Sequence, residues 1–137
     1  MVLFDNSIIK LAYNPATDIL EAVYPDLQGY LITEVKYSIN KLVEILKNYD
    51  IKKILLDSTK TVIAVTDEQS RDIASYLAAG IMTTRVEKVA RLQSYSQTVE
   101  KIAQGNVQHI KENNTLPFLL QNFTTKAEAI NWLNDNV

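Results

Sequence analysis

The sequence predicts a single α/β domain with a mixed, mostly parallel sheet and an N-terminal β-hairpin, in the order ββαβαβαβα. Two runs near the N-terminus are rich in β-branched and aromatic residues and are separated by turn formers. After them, helical spacing of apolar residues alternates with short apolar runs, which is typical of parallel strands joined by crossover helices. With three glycines, three prolines and no linker-like stretch, the 137 residues are expected to form one domain, 1–137.

The hairpin is predicted from two strands near the N-terminus. Apolar and polar residues alternate imperfectly in residues 8–13, residues 19–24 are rich in β-branched and aromatic residues, and residues 14–18 between them are dense in turn formers. Strands joined by so short a turn pair in antiparallel fashion, and we place this hairpin at one edge of the sheet. Thr33 is then expected to cap the first helix.

The middle of the chain predicts the centre of the sheet. Residues 53–57 contain three consecutive apolar side chains before a polar turn, which favours a strand buried on both faces. Thr66 and Gln69 then match the capping-box pattern at the start of a second helix, and Gly80 suits its C-terminal end.

The remaining elements continue the alternation. Residues 86–92 predict a strand, and Ser96 can cap a third helix that Gly105 ends or interrupts. A final strand is expected at 117–120, with proline at its start, where it is tolerated. Thr125 begins another capping box, which predicts a C-terminal helix.

The composition excludes several classes of function. With 47% apolar and 22% charged residues the chain is typical of a globular protein, and its net charge of −2 gives no general attraction to nucleic acid or anionic lipid. The absence of cysteine excludes disulfides, thiolate metal sites and a cysteine nucleophile. No apolar run approaches the ~20 residues that cross a bilayer, and the N-terminus lacks a signal-peptide pattern. We therefore expect a cytoplasmic protein with neither a membrane nor a nucleic acid as partner.

The order of elements resembles the STAS (SpoIIAA-like) domain of anti-sigma-factor antagonists and of the cytosolic part of sulfate transporters. It looks closer still to small stand-alone bacterial STAS-like proteins. The likeness rests on the hairpin, on the strand that ends at Asp57, on residues 89–91, and on the ending 123–133 with Trp132 in the last helix. It covers nearly the whole chain, but these motifs are structural and inform the fold more than the function.

The resemblance also implies a possible phosphorylation switch. STAS antagonists have Asp-x-Ser or Asp-x-Thr after the central strand and a second element, Asp-Ser-Ser-Gly, that opens the next helix and contains the phosphorylated serine. Residues 57–59 are similar to the first element, whereas residues 65–69 replace the second. Two acids in that helix start would oppose an added phosphate. Ser58, Thr59 and Thr66 are the hydroxyls that could substitute in a divergent switch.

The polar loop after the central strand is the best candidate binding site. Asp57, Ser58, Thr59, Lys60 and Thr61 supply an acid, three hydroxyls and an amine where open α/β sheets bind ligands, outside the carboxyl ends of the strands. The alternative is a solvated loop whose hydroxyls bond to its own backbone. A phosphate-binding P-loop is rejected, because no glycines precede the lysine.

The sequence offers little for catalysis or metal binding. His109 is the sole histidine, so a zinc site would need two or more carboxylates around it, and a serine triad would depend on it entirely. It lies in a polar stretch and is expected at the surface. The paired acids Asp67 and Glu68 are better explained by the helix dipole than by acid–base chemistry. No catalytic residue, metal or cofactor is assigned.

A short basic stretch is interpreted as a charged strand edge. On a strand, Arg85 and Arg91 share one face while Lys88 lies on the other, which makes a weak nucleic-acid patch. Charges of this kind commonly guard an exposed edge strand.

Three functions are compared. A non-catalytic regulatory or protein-interaction domain is favoured, with a divergent signalling switch as one form of it, because the STAS-like order comes with few catalytic residues. A binder of a small apolar or lipid-like ligand, held between the sheet and a helix, is the alternative, given the high apolar and tyrosine content. An enzyme would require Asp57, Ser58 and His109 to meet in one cleft. A homodimer through the hairpin edge or the second helix is left open.

Overall fold

The computed structural model describes residues 1–6, 8–23, 32–60 and 66–135. Within these ranges the chain forms a mixed six-stranded sheet with four helices, which confirms the predicted fold class. Residue 24 of the predicted hairpin, Thr61 of the candidate loop and Val65 lie outside the described residues. The strands are β1 (Val2–Asp5), β2 (Lys10–Asn14), β3 (Ile19–Val23), β4 (Lys53–Asp57), β5 (Lys88–Leu92) and β6 (Leu119–Phe123). The helices are α1 (Ile32–Asn48), α2 (Asp67–Met82), α3 (Gln97–Asn113) and α4 (Lys126–Asn134).

The strands lie in the sheet in the same order as in the chain, from β1 to β6. Strands β1, β2 and β3 form an antiparallel meander, and β3, β4, β5 and β6 are parallel. The predicted central strand is confirmed, since β4 pairs with β3 on one side and β5 on the other.

Strand β1 was missed by the sequence analysis, and the hairpin is consequently not at the edge. Four residues are too few to show a periodic pattern, and the pairing of β1 with β2 is irregular between Val2 and Phe4. Since β1 covers the free side of β2, the expectation that the hairpin lies at the edge of the sheet is wrong, and β1 is the strand at that edge.

The two faces of the sheet hold two separate apolar clusters. In β4, Ile54 and Leu56 belong to the cluster that includes the buried residues of α1 and α2, whereas Leu55 belongs to the cluster that includes α4. This alternation follows from the two-residue period of a strand. Because the parallel crossovers all run in one direction along the sheet, right-handed connections put successive helices on the same face. Helix α4, which follows the last strand, covers the opposite face.

Three helix starts predicted from the sequence are confirmed. Thr66 and Gln69 form a reciprocal capping box, in which each side chain accepts a backbone N–H of the other at 3.1 Å. Ser96 caps α3 by accepting from a first-turn N–H at 3.3 Å. Thr125 caps α4 through the N–H of Glu128, but it donates its own hydroxyl to the Glu128 carboxylate at 3.0 Å. The last capping box is therefore only half formed.

Other predicted helix boundaries were wrong. Thr33 lies inside α1 and not at its cap, and Gly105 neither ends nor interrupts α3, which continues to Asn113. One glycine costs a helix only about 1 kcal/mol, which a capped 17-residue helix can absorb. Gly80, by contrast, lies in the last turn of α2, at the C-terminal end where it was predicted. A Cβ added there would come within 2.7 Å of the Val43 Cγ2 atom on α1. Its function is thus to let two helices approach closely.

The basic stretch is not a charged edge. Strand β5 lies between β4 and β6, and the Arg91 side chain is on the same face as the core residue Val89, with 7% of the residue exposed. Lys88 donates to the backbone oxygen of Trp132 at 2.8 Å, and its amine lies 5.1 Å from the centre of the indole ring. No helix in the described ranges is long and apolar enough to span a membrane.

Candidate functional site

The loop after β4 is organised by its aspartate. One carboxylate oxygen of Asp57 accepts from the backbone N–H of Thr59 at 3.0 Å and from its hydroxyl at 2.6 Å. This short-range pattern is the turn that an aspartate forms with the second residue after it. Both groups are half-buried, while Lys60 is exposed. The loop is therefore held in one shape by its own side chains.

Ser58 is directed away from the other candidate residues. Because side chains alternate along a strand, it continues the face of Leu56, opposite to that of Asp57. Only 3% of Ser58 is exposed, and the residue lines a cavity below the sheet face. The structure therefore does not bring the four candidate binding residues into one pocket.

The three candidate phosphorylation sites differ in access. Thr66 is exposed, and its hydroxyl caps α2. The hydroxyl of Thr59 is bonded to Asp57, and Ser58 is buried. A kinase would reach Thr66 most readily, since the other two would first require the loop to open.

An exposed surface surrounds the loop at the carboxyl ends of the strands. Tyr95 is 77% exposed, and its backbone N–H donates to the Thr59 carbonyl at 3.2 Å, which joins the loops that follow β5 and β4. Val23 ends β3 opposite Asp57 and is 42% exposed. We name the surface formed by Val23, Thr59, Lys60 and Tyr95 the carboxyl-edge surface.

A cavity of about 80 Å³ lies between α2, α3 and the sheet. Its walls are mainly aliphatic, and four of its lining residues are polar: Ser58, Ser70, Arg91 and Asn106. The sequence analysis missed all of these except Ser58. The signal was present for Asn106, because it shares the helical spacing of Val99 and Ile110 and so interrupts an otherwise apolar face.

The polar groups in the cavity are incompletely paired. The side-chain amide of Asn106 donates to the Ser70 hydroxyl at 3.0 Å. Among the described residues, nothing donates to the carboxamide oxygen of Asn106, and the hydroxyl of Ser58 has no hydrogen-bond partner. Asn106 is 6% exposed, so water outside the protein does not reach these groups freely. A buried polar group without a partner costs roughly 1–3 kcal/mol, so the cavity favours an occupant with polar atoms.

Arg91, at the edge of this cavity, forms a bidentate ion pair with Glu100 on α3. Its two terminal nitrogens each donate to a carboxylate oxygen at 2.9 Å, and one also donates to the Asn122 side chain at 3.2 Å. The same carboxylate accepts from the Ser94 backbone at 2.8 Å and from the Gln104 side chain. Burial acts to raise the pKa of Glu100, but these donors and the positive charge of Arg91 outweigh it and hold the pKa below its ordinary value.

The residues that an enzyme would need are not assembled. Neither Asp57 nor His109 lines the cavity that Ser58 faces, and the half-buried His109 contacts the Asn113 amide at 3.3 Å instead. Burial and a hydrogen bond to Asp18 raise the pKa of Tyr13 to about 12. In the part of the chain that the structure describes, no three His, Asp or Glu side chains are placed to hold a metal ion.

Comparison with known proteins adds little. No family model matches the chain, and no curated protein matches it. Among solved structures, the chain is similar to one in the crystal structure of the diguanylate cyclase SiaD in complex with its activator SiaC from Pseudomonas aeruginosa. The two are 16% identical, the alignment covers 90% of this chain and 99% of that one, and the TM-score is 0.41. A likeness at this level carries no argument about function.

Proposed function

We propose that the chain is a non-catalytic regulatory domain of STAS-like type that binds a protein partner through the carboxyl-edge surface. The observation that carries this proposal is Tyr95, which is 77% exposed and yet has its backbone tied to the loop after β4. Tyrosine is enriched among the residues that dominate binding energy at interfaces. Because the backbone that carries the ring is already fixed, binding orders little more of the chain, and the entropy cost of binding is small.

The neighbours of Tyr95 suit the same purpose. Val23 adds exposed apolar surface, and Lys60 adds a cation at the rim. An apolar and aromatic centre with a polar rim is the usual anatomy of an interface between two proteins. Asp57 holds Thr59 in place by two hydrogen bonds, so this part of the surface exists before a partner arrives.

The two groups with displaced pKa values, Tyr13 and Glu100, are not suited to acid–base catalysis themselves. General acids and bases work best when their pKa lies near the operating pH. The pKa of Tyr13 is raised to about 12 and that of Glu100 is lowered, so both move away from neutrality. Each of these groups is used to hold elements of the fold together.

Tyr95→Ala tests the proposed surface, with Tyr49→Ala as the control. Tyr49 is an exposed tyrosine between the end of α1 and the start of β4, so it lies at the opposite edge of the sheet. A partner captured from the native host should bind the parent chain and Tyr49→Ala equally. Loss of a central tyrosine should weaken binding to Tyr95→Ala by about 30-fold, which corresponds to about 2 kcal/mol. Equal binding by both variants, at equal melting temperatures, would remove this surface from the proposal.

We further propose that phosphorylation of Thr66 regulates binding at this surface. The residue is exposed at the start of α2, on the same edge of the sheet as the loop after β4. A phosphate would gain from the positive end of the helix dipole but would face Asp67 and Glu68 in the first turn. It would therefore add strong negative charge beside the surface.

Two substitutions separate charge from capping at Thr66. Serine keeps the N-cap oxygen without adding charge, whereas aspartate keeps a good N-cap and adds a negative charge. We expect Thr66→Asp to weaken partner binding about tenfold or more and Thr66→Ser to bind as the parent does, measured by isothermal calorimetry. Mass spectrometry of protein from its own host should place phosphate on Thr66. Equal affinities for the two variants together with unmodified Thr66 would refute the switch.

A further inference from the structure

Helix α3 covers the sheet less completely than α1, although both have 17 residues. Its buried residues are Asn106 and Ile110, whereas α1 buries five residues. Inward-facing positions such as Val99 and Val107 are only half-buried and line the cavity. Interiors are normally close-packed, so a space under one helix is a feature to be explained.

Short side chains maintain this space. Ala74 and Ala78 face it from α2 and Ala103 faces it from α3, while Leu56 and Val89 close it on the sheet side. A larger aliphatic residue at any of the three alanine positions would occupy the cavity. The walls therefore accept an apolar group from outside the described chain.

The polar groups on the wall restrict the chemistry of the occupant. The Ser58 hydroxyl can donate and accept, and the carboxamide oxygen of Asn106 can accept. Both residues are more than nine-tenths buried, and neither of these atoms has a partner in the described residues. A matching occupant has an apolar body and a head that both donates and accepts a hydrogen bond.

The head must also be neutral. Arg91 is the cation on the cavity wall, and its terminal nitrogens are taken by Glu100 and Asn122. A carboxylate or phosphate placed here would be buried without a free counter-charge, which is strongly unfavourable. The Glu100 carboxylate nearby would repel it as well.

We propose that this cavity is a binding site for a small neutral amphipathic molecule, an unbranched aliphatic chain that carries a hydroxyl head. The cavity of about 80 Å³ is roughly half of the ~150 Å³ that holds benzene in an engineered apolar cavity, so the occupant is a short chain with fewer atoms than benzene. The hydroxyl head bonds to the Ser58 hydroxyl, and the chain lies along the alanines of α2 and α3. This site is separate from the carboxyl-edge surface and does not depend on its partner.

Titration with n-propanol, followed by amide NMR shifts, tests the proposal. Saturable shifts are expected at Ala74 and Ala103, while propionate at neutral pH, which carries a charge, should bind at least tenfold more weakly. Ala103→Leu fills the cavity with a good helix former and should abolish the saturable shifts without unfolding the protein. No saturable shift in the parent chain, equal binding of propionate, or unchanged binding by Ala103→Leu would each overturn the proposal.

Ser58→Ala provides a second test with two opposite signs. Removing an unpartnered buried hydroxyl should raise the melting temperature of the free protein. The same change should weaken n-propanol binding about fivefold, because the head loses a hydrogen bond. If Ser58→Ala lowers the melting temperature and leaves the affinity unchanged, the hydroxyl serves the fold and the proposed head-group contact is wrong.

Discussion

Replacing Glu100 with glutamine removes the carboxylate that both terminal nitrogens of Arg91 contact at 2.9 Å. The guanidinium cannot lose its proton, and with 7% of the residue exposed it cannot recover its charge–charge partner from water. Breaking a buried ion pair from one side costs about 3–5 kcal/mol. We expect Glu100→Gln to lose about 3 kcal/mol of unfolding free energy, at the low end, because Asn122 still accepts from Arg91.

Removing the other partner should cost less. In Arg91→Met the Glu100 carboxylate still accepts from Ser94 and Gln104. If its buried negative charge is still unfavourable, the carboxylate can take up a proton. We expect a loss of about 2 kcal/mol, as for a charged hydrogen bond. The double variant Arg91→Met/Glu100→Leu leaves neither charge buried. Its loss of unfolding free energy should therefore be smaller than the sum of the losses of the two single variants.

Urea denaturation at pH 7 followed by circular dichroism measures these differences as shifts in midpoint at constant slope. The pKa of Glu100 is lowered in the folded state from an unfolded value of 4.5. Its contribution is therefore complete above that value and is lost as the pH falls through the lower folded pKa. The difference in unfolding free energy between the parent and Glu100→Gln should therefore become smaller in acid. A difference below about 1 kcal/mol at pH 7, which is the range of an exposed ion pair, would refute the reasoning.

Two further predictions concern packing. Gly80→Ala should destabilise the protein by about 1–2 kcal/mol, because the new methyl meets the Val43 side chain at 2.7 Å. Gly105→Ala should stabilise the protein by about 0.5–1 kcal/mol, because nothing lies within 4 Å of its new Cβ. Thermal melts that ranked the two variants in reverse would contradict this packing. Trp132→Ala should cost about 2–3 kcal/mol, less than for a fully buried ring, because the half-buried indole packs on Phe123 at 5.5 Å between ring centres. An unchanged melting temperature for Trp132→Ala would show that α4 is loosely docked.

Features with a local cause were predictable from the sequence. The run Ile54-Leu55-Leu56 indicated a strand buried on both faces, and those three residues indeed supply both apolar clusters. Thr66 and Ser96 cap their helices because the interactions involve residues only three positions apart. The position of the candidate loop after β4 followed from the same reasoning.

Features that depend on distant residues were not predictable. Arg91 resembled an edge charge until Glu100, on a different element, was seen to pair with it. The cavity is enclosed by α2, α3 and the sheet together, and no spacing in one sequence reveals how these three elements meet. Ser58 and Asp57 are adjacent in the chain, but the strand period sends them to opposite faces, which divided the candidate site.

The sequential strand order has a consequence for how the protein is made. Each strand pairs with the one synthesised before it, so the sheet can grow one strand at a time as the chain leaves the ribosome, and contacts stay short in sequence. At every stage the newest strand presents an unpaired side until the next crossover is complete. Before β5 is synthesised, β4 has an unpaired edge and apolar residues on both faces. This edge is then the part of the growing sheet most prone to aggregation. Slow translation between β4 and β5 should therefore favour aggregation more than a pause after β6 would.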